Sequence, residues 1–394
     1  MREVYIAGAC RTAIGSFGGT LRDFKPGDLA TIVTVETMKR AGIQPDQVDE
    51  VVFGHVIPRT DENNLVARLA ALKAGIPNTV PAHVVIRGCG SGMQALVAGT
   101  QSIRLGDADV VIAGGVECMS STPYYTNDMR WGRRLQDSKL IDALWDVLHD
   151  PYTGLIMGQT AENIAERFGV TREQQDQYAL ESQTKANKAI AEGKFKEEIV
   201  PVEVKTRKGV KVFDTDEYPI PDTTLEKLAS LKPAFKKEGG TVTAGNASGL
   251  NDAAAALVLI SREKMEELGV KPQARVVEYA AIGCDPEIMG VGPIYAVEKV
   301  LKKAGMTLDD IDVMELNEAF ASQAYYCIQQ IGYPPEKINI YGSGVALGHP
   351  VGATGCRIVV TLITALREVK GRYGLATMCI GGGQGMAMII ELID

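Results

Sequence analysis

The chain repeats itself at a fixed offset, and this limits its fold more than any other feature. Ala41-Gly42-Ile43, followed by Asp46, Val48 and Asp49, recurs as Ala304-Gly305-Met306 with Asp309, Ile311 and Asp312, an offset of 304 − 41 = 263. Cys89-Gly90-Ser91-Gly92 overlays Gly352-Ala353-Thr354-Gly355 at 352 − 89 = 263. Each glycine turn is followed by apolar residues at helical period: Met93, Leu96, Val97 and Ile103 in one copy, and Ile358, Leu362, Ile363 and Leu366 in the other. Gly106 and Gly371 are the expected helix stops. Short apolar strands then run into glycines at 110–115 and 375–381. Strand, turn, helix, strand is a βαβ unit, so the pattern predicts two related α/β halves with parallel sheets covered by helices.

A chain of 394 residues with 45% hydrophobic and 23% charged residues can bury a large core without staples. The formal charge, 41 − 49 = −8, gives no overall positive field for a phosphate backbone, so nucleic acid is not expected as a partner. Seven cysteines without a C-x-x-C spacing argue against a disulfide framework or a zinc site, and no metal is expected. There is no charged-then-apolar leader and no uncharged apolar run near the ~18 residues of a membrane span, so a soluble cytoplasmic protein is expected. Residues 119–247 differ in character, being charge-rich, with helices expected over 160–168 and 171–192, the second opened by Thr171 with Gln174 three residues on. They read as an ordered insertion, whose basic residues from Lys185 to Lys211 form a solvated face.

Four positions could carry chemistry. Cys89 sits in the turn between the strand Val84-Val85-Ile86 and a helix, where unpaired N–H groups and the helix dipole favour a thiolate. Its neighbours Gly88, Gly90 and Gly92 permit close approach of another molecule. His349 lies in Gly342–Gly352 near the repeat position of Cys89, so pseudo-twofold packing of the halves would bring base to thiol. By the same repeat Cys379, before Ile380-Gly381-Gly382-Gly383-Gln384-Gly385, reaches the same mouth. Asn317, after the strand Val313-Met314, can donate to an oxyanion directly or through water, or can simply cap the next helix. His55, His83 and His149 receive no role. A rival reading takes Gly90-Ser91-Gly92-Met93-Gln94-Ala95 as a dinucleotide fingerprint with Glu117 as the ribose acid, although it lies mid-half and a cysteine fills its tight turn.

Seven ordered motifs resemble the thiolases, specifically the acetyl-CoA C-acetyltransferases, over essentially the whole chain. They are Arg11-Thr12-Ala13-Ile14-Gly15, Cys89-Gly90-Ser91-Gly92, Met157-Gly158-Gln159-Thr160-Ala161-Glu162-Asn163, Gly245-Asn246-Ala247-Ser248-Gly249, Asn317-Glu318-Ala319-Phe320, Gly348-His349-Pro350 and Cys379-Ile380-Gly381-Gly382-Gly383. The resemblance implies duplicated βαβ halves in five layers, α-β-α-β-α, with an inserted loop domain: an N-terminal half over 1–269, with the insertion at 119–247, and a C-terminal half over 270–394. It implies that Cys89 takes the acyl group, that His349 is its base and that Cys379 handles the α-proton. One oxyanion site would be His349 with an Asn317-held water, the other the N–H groups of Cys89 and Gly381. Met157, Ala244, Ser248, Met289 and Phe320 would line the acyl and pantetheine tunnel. Acyl-CoA and CoA would be substrates with no tightly bound cofactor, and the assembly a homodimer or homotetramer. The sequence departs from the family pattern at Ile86, Ile156 and Ile220, where Asn, His and Arg are common. At Ile220 this removes a polar or cation–π contact worth roughly 0.5–2 kcal/mol. Alternatives within the fold are a thiolase of other acyl length, a ketoacyl synthase (disfavoured by Cys379), or a CoA-binding subunit that is inactive or needs a partner.

Overall fold

Two largely buried helices organise the computed structural model, which describes residues 2–58, 61–62 and 64–393. Such helices must be covered on every side. In chain order the elements that position the site are strand β1 (Val4–Thr12), helix α1 (Pro26–Ala41), β2 (Glu50–Gly54), β3 (Ala82–Val85), α2 (Ser91–Leu105) and β4 (Val110–Cys118). There follow α3 (Met157–Phe168), α4 (Arg172–Ala191), β5 (Asn251–Ser261), β6 (Ala274–Gly283) and α5 (Gly292–Ala304). The chain closes with β7 (Val313–Leu316), α6 (Ala321–Ile331), α7 (Val351–Val369), β8 (Tyr373–Ile380) and β9 (Gln384–Leu392).

The strands order as β7-β8-β9-β6-β1-β5-β4-β2-β3. β1 and β6 share a ladder of just two pairs, Tyr5–Arg275 and Ile6–Ala274, so this path is two sheets joined at a corner. α2 and α7 pack together between the sheets, and α7 lies against β4 and β5 of one half and β7 and β8 of the other. α1 covers the outer face of the first sheet and α5 that of the second, which makes five layers.

The repeat is realised element by element. Adding 263 to α1, β2 and β4 lands on α5, β7 and β8, and the pairing Val51–Ala82 has its counterpart in an isolated parallel bridge at Met314–Ile338. Two expectations are corrected. The sheets are mixed, since β1, β5 and β4 pair antiparallel, and so do β6, β9 and β8; β2 with β3 and β4, β7 with β8, and β1 with the short strand Ile199–Val200 run parallel. The βαβ pattern speaks only for the strands that a helix joins, and β8 turns straight back into β9 through Gly381–Gly383. The second helix stops at Lys370, which takes the left-handed conformation, while Gly371 serves close approach: a Cβ there would lie 2.5 Å from the Cβ of Asp312.

Residues 119–250 leave the end of β4 and return to the start of its antiparallel neighbour β5, so they form an excursion from the ends of two interior strands. Within it Thr171 caps α4 in a capping box with Gln174, as the sequence indicates.

Candidate active site

The two helix starts meet through glycine. A Cβ at Gly92 would lie 2.8 Å from both Cys356 N and Gly352 O, one at Gly355 2.2 Å from Met93 N, and one at Gly115 2.3 Å from Gly352 O. Only glycine lets these backbones approach, and their approach brings the Cys89 turn beside the His349 turn. Gly90 is equally committed, with Ile380 Cδ1 2.5 Å from where its Cβ would be. These glycines are therefore packed against the other half of the chain. Glu117 accepts hydrogen bonds from the N–H groups of Val56, Ile57 and Gly352 at 3.0–3.2 Å. Neither the glycines nor the acid is free to hold a dinucleotide, which removes the rival reading.

Cys89 lies just ahead of α2, after Gly88 with φ +46°, in a turn held by Ser91, whose Oγ accepts from Arg87 N and donates to Gly88 O. It packs with Ile57, Met119, Leu144 and Val351. The thiol is partly accessible, yet desolvation pushes it above its ordinary pKa, while the N–H groups of Gly381 and of Cys89 itself pull the other way. The helix-end argument favours the thiolate; in the unliganded site burial outweighs it.

His349 is placed by a chain of bonds that also fixes its tautomer. Gly348, at φ +100°, stacks on Asn251, whose side-chain oxygen accepts from His349 N at 3.0 Å. Thr354 Oγ1 donates its one proton to Pro350 O at 2.9 Å, so it must accept from His349 Nδ1 at 2.7 Å. Nδ1 therefore carries the proton and Nε2 the lone pair. Among the described residues, Nε2 is buried and has no hydrogen-bond partner. Burial, with the positive charge of Arg357, lowers the imidazole to about 3.

Cys379 ends β8 fully buried, among Met289, Ala319, Met157 and Phe320. Desolvation, then the neighbouring thiols of Cys89, Cys327 and Cys284, hold it well above a free thiol. Asn317 follows β7, and its N–H is tied to Thr377 O. Its side-chain O and N are both buried without a partner among the described residues. It does not cap α6, which starts at Ala321. The Gly381 backbone lies against Met157, whose Sδ would be 3.0 Å from a Cβ there.

The strap 243–250 runs beside 319–321. Ser248 N donates to Ala319 O, Ala321 N to Asn246 O, and Ala247 bridges Phe320. This sets Ser248 at the rim and leaves Ala244 exposed, whereas Met157, Met289 and Phe320 surround Cys379 directly. Phe235, which sequence reasoning missed, packs edge-on to Phe320 at 6.2 Å and fills the space over Gly158. His55 was also missed: its Nδ1 lies 3.0 Å from Glu117 Oε1, and that carboxylate raises its pKa against the opposing effect of burial. A histidine 62 residues before an acid carries no sequence signal. Ile86 is 59% and Ile220 54% exposed, while Ile156 is buried at the start of α3. No cluster of metal-binding side chains occurs among the described residues.

A thiol and an imidazole stand at two related helix starts, with a second thiol on the adjoining hairpin, on a duplicated α/β frame. Residues 4–263 match the model of the thiolase N-terminal domain and 270–392 that of the thiolase C-terminal domain. An acetyl-CoA acetyltransferase of Syntrophomonas wolfei is 50% identical over 397 residues, covering all of both chains. A beta-ketothiolase of Cupriavidus necator is also 50% identical, over 392 residues and the full length of both. The crystal structure of the Bacillus anthracis acetyl-CoA acetyltransferase superposes with a TM-score of 0.97 at 50% identity, covering 100% of this chain and 99% of that one. Human mitochondrial 3-ketoacyl-CoA thiolase in complex with CoA gives 0.97 at 42% identity, covering 100% and 98%. The chain belongs to the thiolase family.

Proposed function

We propose that this chain is an acyltransferase that joins two acetyl-CoA into acetoacetyl-CoA and CoA, and runs the reaction in reverse as thiolysis of short 3-ketoacyl-CoA. The observation that carries the reading is the uncharged pair at the helix crossing: a protonated Cys89 beside the Val351 wall, and His349 fixed with its Nε2 lone pair open. The Cys89 sulfur attacks the thioester carbon while its proton passes to Nε2 and stays there, and the CoA thiolate leaves with the proton of the Cys379 thiol. The N–H groups of Cys89 and Gly381 hold the thioester oxygen. The thiolate of Cys379 removes the α-proton of the second acetyl-CoA. His349 Nε2–H and an Asn317-held water hold the enolate oxygen, and the carbanion displaces Cys89 from its acetyl group, the freed thiolate recovering its proton from Nε2. Cys379 can remove the α-proton only after giving its own proton to the departing CoA, because its thiol is the harder of the two to ionise in the empty site.

The division into halves 1–269 and 270–394, with 119–247 covering CoA, is part of this reading, as are Ala244 and Ser248 along the pantetheine arm. No tightly bound cofactor is required, since the thioester supplies the activation. No helix among the described residues is long and apolar enough to cross a membrane, and a cytoplasmic location suits the reading. A homodimer or homotetramer is supported by β3, an edge strand flanked by exposed Ile86, Leu65 and Leu72. Light scattering gives the mass, and a monomer would refute the assembly.

The test of function is thiolysis: purified chain with acetoacetyl-CoA and CoA should yield two acetyl-CoA per substrate consumed, read by chromatography. Failure to form acetyl-CoA from a folded chain would overturn the reading.

A further inference from the structure

Behind His349 lies a second set of buried charges that the reaction above does not use. Arg357, on α7, and Glu315, on β7, are 1% and 0% exposed at their side chains, and the nearest nitrogen and oxygen are 3.7 Å apart. Among the described residues, both carboxylate oxygens, Arg357 Nε and Nη1, and the hydroxyl of Tyr341 have no hydrogen-bond partner. Only Arg357 Nη2 reaches a neighbour, Ser343 Oγ at 3.3 Å. A pair this deep and this loose is poor stabilisation, because each group is desolvated and neither is well satisfied.

Its place in the fold suggests what it does. Glu315 is two residues before Asn317 on the same strand end. Arg357 is one helical turn after Thr354, which holds the His349 ring, and it touches the start of the 343–349 segment that carries His349. We propose that Arg357 and Glu315 are positioning residues: they register the Asn317 strand against the His349 helix and set the proton affinity of the imidazole. The inference rests on the catalytic reading above.

The loose geometry leaves the guanidinium field unquenched, so it acts on His349 through a desolvated interior. The charged groups facing the pair are Glu318, Glu198 and Lys185 around Glu315, and Arg11, Glu198 and Asp216 around Arg357. Burial pushes the Glu315 carboxyl up to about 8, with Arg357 opposing. Glu315 is therefore largely neutral below that pH and offsets Arg357 above it. An ionised Glu315 makes His349 more basic and a better proton acceptor for Cys89.

Single-turnover acetylation of the full chain by acetyl-CoA, read by acid quench and intact mass, tests this. Glu315→Gln should match the wild type at about pH 6 and be about threefold slower at about pH 9, half of a one-unit change in base strength appearing in the rate. Glu315→Asp, which keeps a carboxyl, should recover part of the difference. Arg357→Lys, which keeps the cation but loses the fork, should lower kcat with KM unchanged, and it carries the test if Glu315→Gln does not fold. A folded Glu315→Gln with the wild-type pH profile, or an Arg357→Lys with wild-type kcat, overturns the inference. A wild type that takes no acetyl group at any pH overturns the catalytic reading instead.

Discussion

Thr354→Val removes one oxygen and keeps the shape of the side chain, and the structure says what that oxygen does. Thr354 Oγ1 is buried, accepts from His349 Nδ1 at 2.7 Å and donates to Pro350 O at 2.9 Å. Without it the imidazole N–H faces a methyl group. Leaving a buried donor unsatisfied costs about 1–3 kcal/mol, which the ring can escape only by rotating or by moving its proton to Nε2. Either escape spoils the lone pair that receives the Cys89 proton. Passed to the barrier, this lowers the rate of acetylation by about 5- to 150-fold. Rapid-quench acetylation with acetyl-CoA measures the rate, and a thermal melt shows that the chain is folded. An acetylation rate within about twofold of wild type would refute the tautomer argument, because no smaller change is compatible with losing a buried partner.

Cys379→Ala should accept an acetyl group on Cys89 and fail to condense it; full acetoacetyl-CoA synthesis by this variant would remove Cys379 from the reaction. Gly92→Ala places a methyl 2.8 Å from backbone atoms of the facing helix, so urea unfolding should show a loss of about 1–3 kcal/mol, and unchanged stability would deny that the helix crossing is rigid. His349 is neutral in the fold, at about 3 against 6.5 when unfolded, so the unfolded chain binds the extra proton between these values. Its contribution is complete above about pH 6.5 and is lost as pH falls toward 3, by up to about 1.4 kcal/mol per unit. His349→Asn should flatten that part of the stability profile. An identical slope in both chains would mean that the imidazole is charged in the fold.

The frame is legible because the repeat is local chemistry used twice. Gly42 and Gly305 end α1 and α5 with φ near +70°, and short 3₁₀ turns follow at 45–47 and 308–310, again 263 apart. The places of Cys89, His349 and Cys379 in the fold are legible for the same reason, since each stands at or just before a turn of the repeat that faces the other half. The antiparallel centre of each sheet is less so, because α1 joins β1 to β2 and α5 joins β6 to β7, which are not neighbours, while β1 with β5 and β6 with β9 pair across long stretches of chain. What surrounds the reacting groups is not readable at all. Thr354 is an ordinary helical threonine until its proton is traced, and Glu117 resembles a ribose ligand until three backbone N–H groups are found on it. The thiol pKa values illustrate the same limit: a helix start is visible in sequence, whereas burial by Ile57, Leu144 and Val351 depends on residues far apart in the chain.

The central claim is a covalent acetyl group on one cysteine. Brief incubation with acetyl-CoA, acid quench and intact-protein mass spectrometry of the wild type beside Cys89→Ala measures it directly. A single acetyl adduct confined to the wild type is the predicted result. An adduct of equal extent on folded Cys89→Ala, or none on either chain, would contradict it.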